Sequence, residues 1–203
     1  MNITSCWRAS VAGMALLWVV LAATGCANFY VDGATKEVPA AQFKKPVPTH
    51  PVQLLFEFQT KGVANARATD LLKAKVLDQV KASGLFSTVS EGPVDGGALI
   101  SLTLNNVPLT DDAFSKGFVT GLTFGLAGSQ VSDGYVCTVR YQSGTRATAL
   151  TRQARHAIHT TMGAANAPGN ATKATDTLAA VTLMTQQVIS NVLNDLSQDP
   201  QFR

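Results

Sequence analysis

The sequence predicts an α+β fold: a mainly antiparallel sheet of about four strands, with two amphipathic helices on one of its faces. Two kinds of apolar spacing support this prediction. Residues 52–58 alternate apolar and polar side chains as a half-buried strand does, while residues 65–82 and 175–196 repeat apolar side chains every three or four positions. Because strand-like runs lie between the two helical segments, the expected order is strand, helix, three strands, helix.

The first strand and the first helix have the clearest patterns. One face of the segment 52–58 is apolar, and Lys61-Gly62 follows as a turn. The helix over 65–82 carries an apolar stripe, and Gly84 follows it as the expected C-terminal stop. The apolar strand residues are Val52, Leu54, Phe56 and Phe58, and those of the helix are Ala68, Leu72, Val76 and Val80.

Three further strands and a final helix complete the domain. Apolar, β-branched and aromatic residues predict strands at 98–104, 134–142 and 147–160, and the last two form a hairpin across a Ser-Gly-Thr turn. The final helix runs from about residue 175 to residue 196. Its apolar stripe consists of Leu178, Val181, Met184, Val188, Val192 and Leu196.

The N-terminus has the three parts of a secretory signal in the usual order. Arg8 is the only charged residue among the first 25, an apolar run follows from 11 to 23, and small residues then lead to Cys26. This run is shorter than the roughly 20 residues that a helix needs to span a bilayer. The segment 1–25 is therefore predicted to be a signal peptide that is removed.

Ala23-Thr24-Gly25-Cys26 resembles the lipobox of bacterial lipoproteins, with Ala23 where the family usually has leucine. The resemblance implies cleavage between Gly25 and Cys26 and acylation of the Cys26 sulfur and of its freed amino group. Two or three acyl chains hold a protein stably on a membrane. Because Ala27 is not an aspartate, the resemblance also implies the outer membrane of a diderm bacterium, with the domain facing the periplasm. The alternative is an unacylated exported Cys26 that can pair with Cys137.

Residues 26–51 read as a flexible tether between the lipid and the domain. The segment places four prolines among small and polar residues, which is typical of an extended linker. A single domain is then expected over 52–203, which is long enough for one hydrophobic core. Within it, Cys137 belongs to an apolar run and is expected to be a buried small hydrophobic residue.

Charge and motifs exclude several classes of function. The formal net charge is +3, or +2 without Arg8, so there is no basic field that would indicate nucleic acid. Phosphate-binding loops, serine nucleophile elbows, His-Glu-x-x-His and Cys-x-x-Cys are absent from the sequence. His156 and His159 would share a face only on a helix, and the alternation here predicts a strand, so no metal is expected. We expect neither an enzyme nor a cofactor, although an active site built from distant residues stays open.

A glycine-spaced apolar insert, residues 116–128, separates two of the strands. Glycines recur at positions 117, 121 and 125, and the run is too short to span a bilayer as a helix. Its large apolar side chains either pack over the sheet or dock on a partner protein or a membrane; a strand in an oligomeric pore is a third interpretation. The candidate docking residues are Phe118, Leu122, Phe124 and Leu126.

Gly84-Leu85-Phe86, with the following loop and the strand at 98–104, resembles a periplasmic domain of envelope lipoproteins. That group includes the curli-secretion, penicillin-binding-protein-activator and exopolysaccharide-export lipoproteins, and the resemblance covers 52–196 by pattern. It implies a fold and a class of role. From the lipobox, the long tether and the lack of a catalytic motif we expect a non-enzymatic protein that binds another envelope protein as a scaffold, activator or assembly factor, and a homo-oligomer also fits. The alternative is an auxiliary factor that binds lipid or glycan during export to the outer surface.

Overall fold

The computed structural model describes residues 27–109, 130–162 and 169–202. In these ranges the chain forms one sheet of eight strands and two α-helices. The strands are β1 (Ala27–Val31), β2 (Pro51–Thr60), β3 (Val63–Ala64), β4 (Thr88–Ser90), β5 (Leu99–Pro108), β6 (Gln130–Gln142), β7 (Leu150–Met162) and β8 (Thr172–Ala174), and the helices are α1 (Ala66–Ala82) and α2 (Thr177–Ser197).

The sheet is mixed, and its strand order is β3-β2-β5-β6-β7-β1-β8, with β4 beside the start of β2. β2 runs parallel to β4 and β5, and the other neighbours are antiparallel. The prediction of a mainly antiparallel sheet of about four strands is therefore wrong. Strands of two or three residues, such as β3, β4 and β8, are too short to show a periodic pattern. The parallel pairing arises because α1 carries the chain back across the sheet, as a parallel neighbour requires.

Both helices pack on one face of the sheet, which we call the inner face and which carries Leu54, Leu102 and Val139. The stripes predicted from the sequence supply most of the helix residues in this core. Leu178 is the exception, since it belongs to the predicted stripe of α2 but is 48% exposed. The fully buried helix residues in these stripes are Leu72, Val76, Val80, Met184, Val188, Val192 and Leu196.

The helix ends are set by local hydrogen bonds. Asn65 Oδ1 accepts from the Ala68 N–H at 3.1 Å, and Asp176 Oδ1 accepts from the Ala179 N–H at 2.8 Å. Each bond satisfies a donor that the first turn of a helix leaves without a partner. Gly84 follows α1 with a φ of +68°, a left-handed conformation that glycine adopts without strain, and so confirms the predicted stop.

The residues predicted as a tether pack against the domain, and this changes where the folded part begins. β1 lies between β7 and β8, and Phe43 is buried in the main core. Three side chains of α2 also bond to the backbone of this segment: Ser190 to Val38, Ser197 to Lys44 and Asn191 to Lys36. The prolines prevent long regular elements, so the segment looks extended in sequence, but its few apolar side chains reach the core. The folded domain therefore extends to Ala27.

Candidate functional site

The clearest cluster of chemically active side chains is a hydrogen-bonded set that joins three parts of the chain. Ser132 Oγ lies 2.7 Å from His159 Nδ1, and His159 Nε2 lies 3.2 Å from Asp32 Oδ2. Ser132 and His159 are paired positions on β6 and β7, and Asp32 directly follows β1. The sheet register therefore brings together residues from three distant segments.

Hydrogen bonding fixes one direction within this set. A carboxylate only accepts hydrogen bonds, so His159 Nε2–H donates to Asp32, and His159 Nδ1 is hydrogen-bonded to the Ser132 hydroxyl. Burial by itself raises the pKa of the Asp32 carboxyl. The bonds from His159 and from the Ala34 N–H outweigh burial, and they leave the pKa of Asp32 below its ordinary value.

His156 has a separate environment on the inner face. Its Nε2 lies 2.7 Å from Gln187 Oε1 on α2, and its Nδ1 accepts from the Ala157 N–H at 2.9 Å. Burial lowers the pKa of His156, and the bond to Gln187 opposes burial only in part. His156 and His159 lie on opposite faces of β7, as the strand interpretation implied. In the described ranges, no three His, Cys, Asp or Glu side chains group as a metal site would need.

The Ser132–His159–Asp32 set has the connectivity of a charge-relay system, in which histidine links a hydroxyl to a carboxylate. Its position differs from that of a reactive site, because both His159 and Asp32 are buried. The set also joins β1, β6 and β7, so each member holds a strand in register. Sequence reasoning singled out His159 but missed Asp32 and Ser132. The only sequence signal for Asp32 and Ser132 is that each is a polar residue at a position that a sheet would partly bury.

Two open clefts lie away from this set. One, of about 430 Å³, runs between the two helices, with Leu72 and Val76 at its base and Lys75 and Asp78 at its rim. The other, of about 450 Å³, lies at the end of the sheet where β2 begins. It is lined by Pro46, Val47, Pro48, His50, Ser143 and Phe202. Neither cleft contains the Ser132–His159–Asp32 set.

Aromatic rings support the second cleft. The rings of Tyr141 and Phe202 lie edge to face with centroids 4.9 Å apart, and Phe86 contacts both of them. His50 Nε2 is hydrogen-bonded to the Tyr141 hydroxyl, which ties the segment before β2 to β6. Val47 stands out from this cluster with a side chain that is 96% exposed.

Three exposed apolar side chains lie at the opposite end of the sheet, on the side where β1 and β7 pair. Val131 of β6 is 53% exposed, Met162 of β7 is 46% exposed and Leu178 in the first turn of α2 is 48% exposed. Val131 pairs with Thr160 and Met162 pairs with Ala27, so both side chains lie on the inner face. We call this end, defined by Ala27, Val131, Met162 and Leu178, the β1-start end.

The other residues singled out by the sequence lie outside the described ranges. These residues are the cleavage site Gly25-Cys26 with the rest of the lipobox, and the docking candidates Phe118, Leu122, Phe124 and Leu126. The strands that flank the insert are described: β5 ends at Pro108 and β6 begins at Gln130. Cys137 lies in the core between β5 and β7 with no exposed surface, and burial raises its pKa to about 12. Among the helices that the structure describes, none is long and apolar enough to cross a membrane.

Comparison with known proteins gives no family for this chain. No family model and no curated protein matches the sequence. Among solved structures, a PelC dodecamer from Paraburkholderia phytofirmans is similar at 11% identity and a TM-score of 0.34, over 84% of this chain and 98% of that one.

Two proteins named as lipoproteins are similar at the same low level. The one from Caulobacter crescentus has 10% identity and a TM-score of 0.31, over 70% of this chain and 84% of that one. Rare lipoprotein B from Shewanella oneidensis has 9% identity and a TM-score of 0.29, over 73% of this chain and 88% of that one. At these values the similarities show no function for this chain.

Proposed function

We propose that this protein is a lipid-anchored envelope protein that acts without catalysis by binding another envelope protein, as a scaffold, activator or assembly factor. In this proposal the signal peptide 1–25 is removed and Cys26 carries the acyl chains. The domain then faces the periplasm from the outer membrane. The observation that carries the binding role is the outer face of the sheet, opposite the helices.

Two rows of paired positions cross four strands on this outer face. The first row is Leu55–Ser101–Arg140–Thr151 and the second is Glu57–Thr103–Thr138–Gln153. We call these two rows the open face, because both helices pack on the inner face and no other element in the described ranges covers these rows. Leu55, Glu57, Arg140, Thr151 and Gln153 are exposed.

The composition of the open face fits a protein partner. An exposed leucine lies beside short hydroxyl side chains, an arginine and a glutamate, and interfaces combine apolar contact with hydrogen-bonding groups in this way. The positions are held by the sheet ladder, so little conformational entropy is lost when a partner binds. The Ser132–His159–Asp32 set lies beyond these rows and links strands, which favours a structural role for it over catalysis.

Photo-crosslinking in intact cells tests the binding role. A photoreactive amino acid is placed at Leu55 or Gln153 on the open face, and at Leu71 on α1 as a control. Leu71 suits this purpose because it is about as exposed as Leu55 but faces away from the sheet's outer side. We expect the same envelope protein to be crosslinked from positions 55 and 153 and not from 71. Equal adducts from all three positions, or none, would contradict the proposal.

The insert is proposed as a second contact with the same partner. Its apolar side chains at 118, 122, 124 and 126 are costly to expose in a long connection, which supports a docking role. Replacing Phe118 and Phe124 with serine should weaken the crosslink formed from Leu55. An unchanged crosslink with unchanged membrane association would remove the insert from the interface and leave the open face in place.

A further inference from the structure

The position of β1 sets how far the domain can stand from its lipid anchor. Cys26 immediately precedes Ala27, and Ala27 is paired with Met162 in the sheet. Consecutive Cα atoms are about 3.8 Å apart, so an acylated Cys26 lies one residue before the first residue of β1. If residues 27–51 were extended, the same segment could place the domain about 80 Å from the lipid, at roughly 3.3 Å per residue.

The surface beside this attachment point is apolar. Val131, Met162 and Leu178 are each about half exposed, and they come from β6, β7 and α2. β8 leads directly into α2 beside β1, which brings the first turn of α2 to the end of the sheet where β1 begins. Three large apolar side chains from three elements thus lie around one point of the chain, where exposure to water is unfavourable.

Among the residues that the structure describes, the charges nearest these three side chains are mixed. Asp133 of β6, Lys173 of β8 and Asp176 at the start of α2 are two acids and one base. Contact with a bilayer would therefore depend on the apolar side chains and on the acyl chains, and not on a basic patch.

We infer that the β1-start end docks on the phospholipid surface, with Val131, Met162 and Leu178 inserted among the headgroups, so that the domain has a fixed orientation on the membrane. The inference rests on the proposed acylation of Cys26. In this orientation the strands run away from the bilayer surface, and the cleft around Val47 lies at the end of the sheet that is farthest from the membrane. The open face is then presented sideways to a partner in the same membrane.

The acylated chain is well suited to site-specific labelling. With Cys26 acylated and the signal peptide removed, Cys137 is the remaining thiol, and it is fully buried with a raised pKa. A thiol-reactive fluorophore will therefore label an introduced surface cysteine selectively. Val131→Cys and Leu178→Cys report on the β1-start end. Val47→Cys is the control, because it is an exposed valine before β2, beside Ser143, at the opposite end of the sheet.

The experiment uses the full acylated protein in vesicles of phosphatidylethanolamine and phosphatidylglycerol that contain a lipid-borne quencher. Emission from positions 131 and 178 should be lost relative to vesicles without the quencher, and emission from position 47 should not change. A Met162→Cys label in a background of Val131→Thr and Leu178→Gln, which replace the apolar side chains with neutral polar ones, should lose its quenching, while the unfolding midpoint stays that of the parent protein.

The other outcomes separate a failure of docking from a failure of the anchor. If intact mass shows the acyl chains on Cys26 but positions 131 and 178 are not quenched, docking is refuted and the proposed anchor stands. Equal quenching at 47 and 131 would also refute docking, since the domain would have no fixed orientation. A mature chain without acyl mass would overturn both the proposed anchor and the docking that rests on it.

Discussion

His159 Nε2 lies 3.2 Å from Asp32 Oδ2, although the two residues are 127 positions apart in the chain. Both side chains are buried, and Ser132 completes the set from β6. The bond ties the end of β1 to β7. β1 is the strand that begins at Ala27, directly after the predicted acylation site at Cys26. It therefore links the proposed anchor to the rest of the sheet.

Removing the Asp32 carboxylate should destabilise the domain. Asp32→Ala leaves His159 and the Ala34 N–H without their buried acceptor, and breaking such a pair costs about 3 kcal/mol in the free energy of unfolding. Urea denaturation of the purified protein measures this loss. The exposed Asp195→Ala is the control and should change stability by less than about 0.5 kcal/mol. Similar losses in the two variants would contradict a structural role for the Asp32–His159 pair.

Acidification should destabilise the protein through His156. Burial holds the pKa of His156 below its ordinary 6.5, so the unfolded chain binds more protons than the native one between the lowered pKa and 6.5. Stability therefore rises with pH across this window and falls as the pH is lowered from 7 to 5. Asp32 adds a further loss only below its ordinary pKa of 3.8, as the pH falls through its lower native value.

The thermal unfolding midpoint at several pH values checks this prediction. His156→Gln keeps a polar side chain opposite Gln187 but does not titrate, so it should flatten the dependence between pH 5 and 7. The same slope in parent and variant would assign the acid sensitivity to other groups.

Phe43 should contribute to stability although it lies in the segment that looks like a linker. Its ring is buried in the main core, and Phe→Ala in a core costs about 3 kcal/mol. Val47→Ala, four residues later at a 96% exposed position, should have almost no effect. Denaturant titration of the two variants separates a packed segment from a free tether, for which both changes would be neutral.

Cys137 should resist modification in the native state. The thiolate is the reactive form, and burial raises the pKa of this thiol to about 12 while excluding reagents from it. A colorimetric thiol reagent should react with the folded protein only as fast as it unfolds, and rapidly in denaturant. Rapid labelling without denaturant would show that the core between β5 and β7 opens readily.

The helices and the long strands can be predicted from local sequence patterns. α1 and α2 were expected from their apolar spacing, and their capping residues lie where the sequence placed the helix starts. The two apolar stripes and the alternation of β2 reflect only local periodicity, so they could be read without the fold. Leu178 shows the limit of such patterns. Periodicity assigns Leu178 to the apolar stripe, but this residue lies in the first turn of α2, where its side chain is 48% exposed.

The candidate surfaces could be anticipated only in part. Cys26 and the apolar insert stand out in the sequence because the pattern of a signal peptide and the spacing of glycines are local features. The open face, by contrast, depends on the register that aligns Leu55 with Ser101 and Arg140 across three strands. Spacing within a single strand cannot supply that register.

The sequence alone determined the helices, the long strands and the buried character of Cys137, and it predicts an acylation site at Cys26. Only the tertiary structure decided that β2 and β5 are parallel, that Asp32 reaches His159, and that Phe43 enters the core. These features depend on contacts between residues far apart in the chain, which are decided by the burial and hydrogen bonding of the whole domain. The distance between the predicted acylation site and the fold belongs with them, because it changes from a long tether to a single residue once β1 joins the sheet.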